Sequence, residues 1–183
     1  MTEERAVELG KEALKDNVAL SFIGDFFNYG WPDEEYAKAG FAEDAEYYSG
    51  ANGFTIRGGE AVYEKFDEIQ MKRFEGIDAV PAVVLSSKGV TAARKHHAGS
   101  ECLALKYHEH KEIAQLAFVE QDDCCRVKRI EIVPVTGYEY RLLPPEGWRG
   151  FTPRIVVEER VFDDDGNLRE VNRRYLDGKP VEE

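Results

Sequence analysis

The hydrophobic period turns from mainly helical to wholly strand-like part-way along this chain, and that change sets what it can fold into. From Thr2 to about Tyr29 there is no proline, and Leu14, Val18, Phe22, Phe26 and Tyr29 recur at helical spacing. Leu20, Ile23 and Phe27 widen the stripe, so the second half of this helix is expected to be deeply packed. Thr2 followed by Glu3 and Glu4 suits a helix start, where carboxylates meet the positive end of the dipole. Gly30-Trp31-Pro32 stops it, and Asp33 can cap a short helix over Glu34 to Ala39 that ends at Gly40. A further helix is expected from Glu60 to Phe74, with Val62, Phe66, Ile69 and Arg73 on one face. Past Gly76 the period falls to two.

Val80 to Leu85 is β-branched and apolar, Ser86 to Gly89 reads as a turn, and Val90 to His97 as the returning strand. Ile113 to Glu120 and Val127 to Val135 make a second hairpin around Gln121-Asp122-Asp123, and Phe41 to Ser49 turns into a short aromatic strand. Helices first and strands after predict an α+β fold, with helices packed on one face of a curved antiparallel sheet. Pro144-Pro145-Glu146-Gly147-Trp148 then breaks the pattern. Arg154 to Phe162 and Leu168 to Tyr175 flank Asp163-Asp164-Asp165-Gly166-Asn167, a β-hairpin signal in which Gly166 can take a positive φ. The acidic run does not fit a calcium loop, since Val161 and Asn172 stand where ligands are needed. The expected division is a domain over 1–138 and an extension over 139–183, whose hairpin is an extra edge pair or an arm gripping a second subunit.

Thirty-six acidic residues against twenty-four basic ones leave a net charge of −12, which repels phosphate backbones and anionic lipid surfaces. Nucleic acid and membrane are therefore not expected as partners. Met1 to Arg5 lacks the start of a signal peptide, and no stretch approaches the roughly 20 apolar residues that span a bilayer. Cys102, Cys124 and Cys125 are an odd number with one adjacent pair and no C-x-x-C spacing, which predicts structural thiols and a cytoplasmic location.

Phe41-Ala42-Glu43-Asp44-Ala45, followed by Ile56-Arg57-Gly58-Gly59-Glu60-Ala61-Val62, resembles the nuclear-transport-factor-2-like (NTF2-like, cystatin-like) superfamily. The nearest branch is the SnoaL-like polyketide cyclases and their ketosteroid isomerase relatives. The likeness covers about residues 8 to 138. It implies a cone: a bent sheet wrapped round helices, with a pocket at the wide end and, in many members, a homodimer through the outer sheet face. Members include isomerases, cyclases, dehydratases, epoxide hydrolases and proteins with no catalysis, so the fold alone assigns no activity. A ketosteroid-isomerase-like mechanism puts Ser49 where the family has a carboxylate base, Ile23 where it has a tyrosine, and Ala114 or Gln115 where it has an acid.

Other groups are candidates on the strand pattern. If Val90 points inward, Arg94 and His96 share its face, Arg94 to hold an enolate or carboxylate oxygen and His96 to move a proton. Tyr47 and Ser49 share a face of the first strand, and Asp25 can orient His96 or pair with Arg94. The alternative puts Arg94 and His96 on the outer side, with Asp25 merely solvated, and a register slip exchanges them for Lys95 and His97. Phe22, Phe26 and Trp31 either line a pocket or pack the core. His108-Glu109-His110 sits in a stretch so polar that a solvated turn is expected rather than a metal site. The expectation is a cofactor-independent isomerase, cyclase or dehydratase acting on a small hydrophobic carbonyl compound. Its rival is a non-catalytic ligand-binding or dimerisation module.

Overall fold

In the computed structural model, which describes residues 1–30, 33–72, 77–90, 92–107, 112–143 and 155–175, the first helical stretch is two helices. These are α1 (Glu3–Asp16) and α2 (Val18–Tyr29). Thr2 caps α1 by accepting the Arg5 N–H at 3.2 Å. Asn17 breaks the run: its Oδ1 accepts the Leu20 N–H at 3.0 Å, while its Nδ2 donates to the Val119 carbonyl at 2.8 Å. Gln121 Oε1 accepts the Val18 N–H at 2.9 Å, so the joint is stapled to the sheet. α3 (Glu34–Ala39) lies where the Asp33 cap and Gly40 place it, and α4 (Gly59–Lys72) follows.

Seven strands form one sheet: β1 (Phe41–Ser49), β2 (Phe54–Arg57), β3 (Ile77–Ser87), β4 (Glu101–Tyr107), β5 (Ile113–Gln121), β6 (Val127–Pro134) and β7 (Tyr138–Leu142). Their order is β2-β1-β6-β5-β4-β3-β7. The sheet is curved and mixed, not wholly antiparallel, because β1 runs parallel to β6. Bonds at both ends fix that pair, with the Val127 N–H on the Gly40 carbonyl and the Gly50 N–H on the Ile132 carbonyl, each at 2.7 Å. The division expected after residue 138 falls inside β7, which pairs with β3. Separately, β8 (Ile155–Phe162) and β9 (Leu168–Tyr175) make a two-stranded sheet. The Asp163 carboxylate closes its turn on the main-chain N–H groups of Asp165 and Asn167.

One expected strand is absent. Residues 88–90 and 92–100 form no strand, and β3 pairs instead with β4, in the register Ala82↔Cys102 and Val83↔Glu101. Leu103 and Leu105 fill the concave side of β4, while Cys102 and Ala104 fill the convex side. Arg94-Lys95-His96-His97 has no apolar alternation to offer either face, and polar groups entering the interior unpaired would be penalised.

Both faces of the sheet are buried. On the concave face Tyr47, Leu105, Val119 and Ile130 meet Ile23 of α2 and Phe66 of α4. Phe66 is fully buried, a burial that contributes about 2–3 kcal/mol. On the convex face Val84, Cys102, Leu116, Phe118 and Val133 form a second cluster with Tyr138. Of the three cysteines only Cys102 is packed; Cys124 and Cys125 are exposed and free, against the expectation of three structural thiols. No helix among the described residues is long and apolar enough to cross a membrane.

α1 seats on β3 through a glycine. A Cβ on Gly10 would stand 2.4 Å from Val83 Cγ2 and 2.8 Å from Val83 Cβ. Gly10→Ala ordinarily favours a helix by about 1 kcal/mol; here it is expected to lower stability by about 1–3 kcal/mol through overpacking. Urea denaturation of the two proteins checks the sign.

Candidate functional site

The cone contains a cavity of about 410 Å³ at its open end, between α4, the hairpin of β1 and β2, and the concave side of β4, β5 and β6. Strand alternation brings its polar groups together. Tyr47 and Ser49, two residues apart on one face of β1, both line the cavity and are buried. Gln115 of β5 and Tyr107 of β4 meet in the wall, where the Tyr107 hydroxyl donates to Gln115 Oε1. That bond assigns the amide: Oε1 accepts, and the Nε2 hydrogens remain to donate. Phe27, Phe54, Ile77, Leu105 and Ile132 supply the apolar wall.

Among the described residues, the one carboxylate–ammonium pair in the wall comes from α4. Lys65 and Glu68, one helical turn apart, approach to 3.7 Å with side chains 27% and 46% exposed. The Lys65 ammonium also stands 5.6 Å from the centre of the Phe54 ring. Lys65, Glu68 and Tyr107 were not among the residues expected from the sequence. The signal available was the i, i+3 spacing of Lys65 and Glu68 beside Ile69, on the helix face that also carries Val62 and Phe66.

The remaining expected residues lie elsewhere. Phe26 is core, its ring centroid 5.1 Å from that of Phe66, and Phe22 packs between Tyr36 and Phe41 at 5.7 Å from each. Asp25 is half-buried on α2, outside the cavity wall. Trp31, His108 and His110 lie outside the described residues. Among the described residues no three His, Cys, Asp or Glu side chains are placed to hold a metal ion.

Arg94 and His96 do not enter the cone, contrary to the inward expectation. The loop that carries them folds back over the convex face. There the His96 ring stacks on Phe118, centroids 3.5 Å apart and planes 2° from parallel. His96 Nε2 lies 3.0 Å from Glu131 Oε2, and the Arg94 main-chain N–H donates to Glu131 Oε1 at 3.3 Å. The Arg94 guanidinium pairs with Glu120 at the surface. Glu131 is only 1% exposed in the middle of β6. A carboxylate between Ile130 and Ile132 was the sequence sign of this contact. Arg129 stands 3.9 Å from it and continues to Glu46 at 2.7 Å. The Tyr138 hydroxyl is buried nearby without a hydrogen-bond partner among the described residues, and burial, then the Glu131 charge, push it up to about 12.

Burial is the largest single influence on Glu131 and raises its pKa. The His96 hydrogen bond and charge, the Arg94 N–H and the Arg129 charge together outweigh it, so the carboxyl is held below its usual 4.5.

No protein-family model matches the chain, and no curated protein matches it. Solved structures do. A SnoaL-like protein of unknown function from Burkholderia thailandensis is similar at 12% identity and TM-score 0.42, over 70% of this chain and 96% of that one. A phenazine biosynthesis-related protein from Pseudomonas aeruginosa is similar at 16% identity and TM-score 0.37, over 67% and 77%. An LEH-like epoxide hydrolase from M. tuberculosis is similar at 17% identity and TM-score 0.31, over 74% and 80%. At such identities and TM-scores the likeness carries no functional argument.

A depressed folded pKa means that Glu131 stabilises the fold above its unfolded value and loses that contribution as pH falls through the lower folded value. Glu131→Gln is therefore expected to be less stable than wild type at neutral pH, with the gap closing below about pH 4.5. Denaturation midpoints across the acid range read this directly. His96→Ala is expected to cost about 1–3 kcal/mol, because it strips a hydrogen bond from a buried carboxylate.

Proposed function

We propose that the cavity binds a small, largely apolar carbonyl compound and that the chain acts on it by proton transfer, as an isomerase, cyclase or dehydratase without a cofactor. The observation that carries this is the composition of the wall. Apolar side chains surround neutral hydrogen-bonding groups, Ser49, Tyr47, Tyr107 and Gln115, and a single carboxylate–ammonium pair. A substrate ring or chain lies against Phe54 and Ile132, and the Gln115 amide donates to its oxygen. An oxygen that gains negative charge in the transition state gains most from that donor. Among the described residues of the wall Glu68 is the only carboxylate, and it takes the part of the base, with Lys65 holding it in place. The proposed working form is a homodimer in the cytoplasm, which sedimentation at micromolar concentration checks.

A second function, ligand binding without turnover, is favoured by the exposure and pairing of Glu68. A base already neutralised by an ammonium and open to solvent is weak.

Thermal-shift screening with small aromatic and terpenoid carbonyl compounds tests the site, because a ligand that binds the native state raises the melting temperature. Gln115→Leu is expected to weaken the best ligand about tenfold, the loss of one hydrogen bond. With turnover in hand, Glu68→Gln is expected to lower kcat by about 10²–10⁴ and leave binding intact. Binding that survives Gln115→Leu unchanged overturns the site, and turnover that survives Glu68→Gln removes the base.

A further inference from the structure

Two thiols at the turn between β5 and β6 have no part in the core or in the cone. Cys124 and Cys125 are exposed and free. Their turn is built around Asp122, whose Oδ1 accepts the main-chain N–H groups of Cys124 and Arg126, each at 2.9 Å. Oδ2 accepts from Arg126 Nε at 2.9 Å, and the Cys125 N–H donates to the Asp122 carbonyl at 3.0 Å. The Arg126 main-chain bond foremost holds the Asp122 carboxyl below its ordinary value. Both carboxylate oxygens are thus engaged by the protein itself.

Cys125 is the only non-glycine residue with a left-handed backbone among those described, at φ 61. Glycine or asparagine takes that conformation at least cost. A cysteine there bears the cost without any return in packing. It does put two exposed thiols on consecutive residues of a braced turn.

The covalent geometry limits what the pair can do. A trans peptide holds adjacent Cα atoms about 3.8 Å apart, whereas an unstrained disulfide needs about 4.4–6.8 Å. Direct closure to an S–S bond is therefore strained. A ring that includes one further atom between the sulfurs is wider and escapes that limit. Thiolates are soft donors and select soft acceptors. Zinc asks for four ligands, and among the described residues no third His, Cys, Asp or Glu joins the pair. The acceptor that fits two thiols and no more is one with two open valences.

We propose that Cys124 and Cys125 form a dithiol site for soft thiophilic centres of this kind, typified by monosubstituted trivalent arsenicals. In the capture step two As–S bonds form and the As=O bond breaks. The two thiol protons pass to that oxygen, which leaves as water, and no oxidation state changes. The arsenical is neutral, so the chain's charge of −12 does not repel it.

The test uses the reduced full-length chain, kept free of oxygen, with phenylarsine oxide as the probe. After desalting in excess monothiol, intact mass is expected to show one probe per chain, and peptide mapping to place it on the segment holding Cys124 and Cys125. Both accessible thiols disappear from thiol titration and return on treatment with 2,3-dimercaptopropanol. Cys124→Ser and Cys125→Ser, shown by circular dichroism to fold, are expected to retain the probe about 10²-fold less tightly, because single attachment loses the chelate advantage. Equal retention by either variant, or no retention by the wild-type chain, overturns the proposal.

Discussion

A seven-stranded sheet buried on both faces has to find two covers, and most of this molecule follows from where they come from. The concave cover is helical: α2 and α4 bring Ile23 and Phe66 against Tyr47, Leu105 and Ile130. The helices do not fill the wide end, and that shortfall is the cavity. The convex cover includes the loop of residues 92–100, which brings His96 onto Phe118. Alternation along β5 and β6 divides the work. Ala117, Val119, Ile130 and Ile132 serve the cone, while Leu116, Phe118 and Val133 serve the outer cluster.

Glu131 falls on the outer side of that alternation, where a charge without partners would cost several kcal/mol. The loop supplies the partners. His96 bonds one carboxylate oxygen, the Arg94 N–H the other, and stacking on Phe118 fixes the imidazole plane. The histidine that looked catalytic by its residue type therefore belongs to the fastening of a loop. Its bond to a buried carboxylate is explained by the demand of Glu131, not by a substrate.

Much of the fold was legible because local chemistry and tertiary packing agree there. Asp33 and Gly40 bound α3, and the turn at Gln121-Asp122-Asp123 places β5 and β6 within a residue of their expected limits. Period two put Tyr47 and Ser49 on one face, while the family resemblance is what pointed that face inward. What was not legible depended on long-range partners. Asn17 is helix-compatible on paper, and only its bonds to Val119 and Leu20 make it a break. Residues 90–97 sat at hairpin distance from β3 and so invited a strand. The continuous apolar run from Cys102 to Leu105 wins the pairing by burying both faces of β4. Arg94 and His96 went outward with that change. Lys65 and Glu68 were hidden differently, since an i, i+3 ion pair on a helix usually marks a solvated face.

The cavity's charge also narrows its occupant. Lys65 and Glu68 cancel each other, and the other described residues of the wall are neutral. The surface outside carries the excess of acid and repels anions over a distance of about a Debye length, ~8 Å at physiological salt. An anionic molecule would meet that field with no uncompensated cation waiting inside, and a cationic one would compete with Lys65 for a single carboxylate. A neutral molecule meets neither penalty. It exchanges water for the Phe54, Leu105 and Ile132 side chains and can keep one hydrogen bond to Gln115. Under the proposed function, hydrophobic burial supplies the affinity and the Gln115 amide the orientation, a division of labour that suits a carbonyl oxygen at one end of an apolar body.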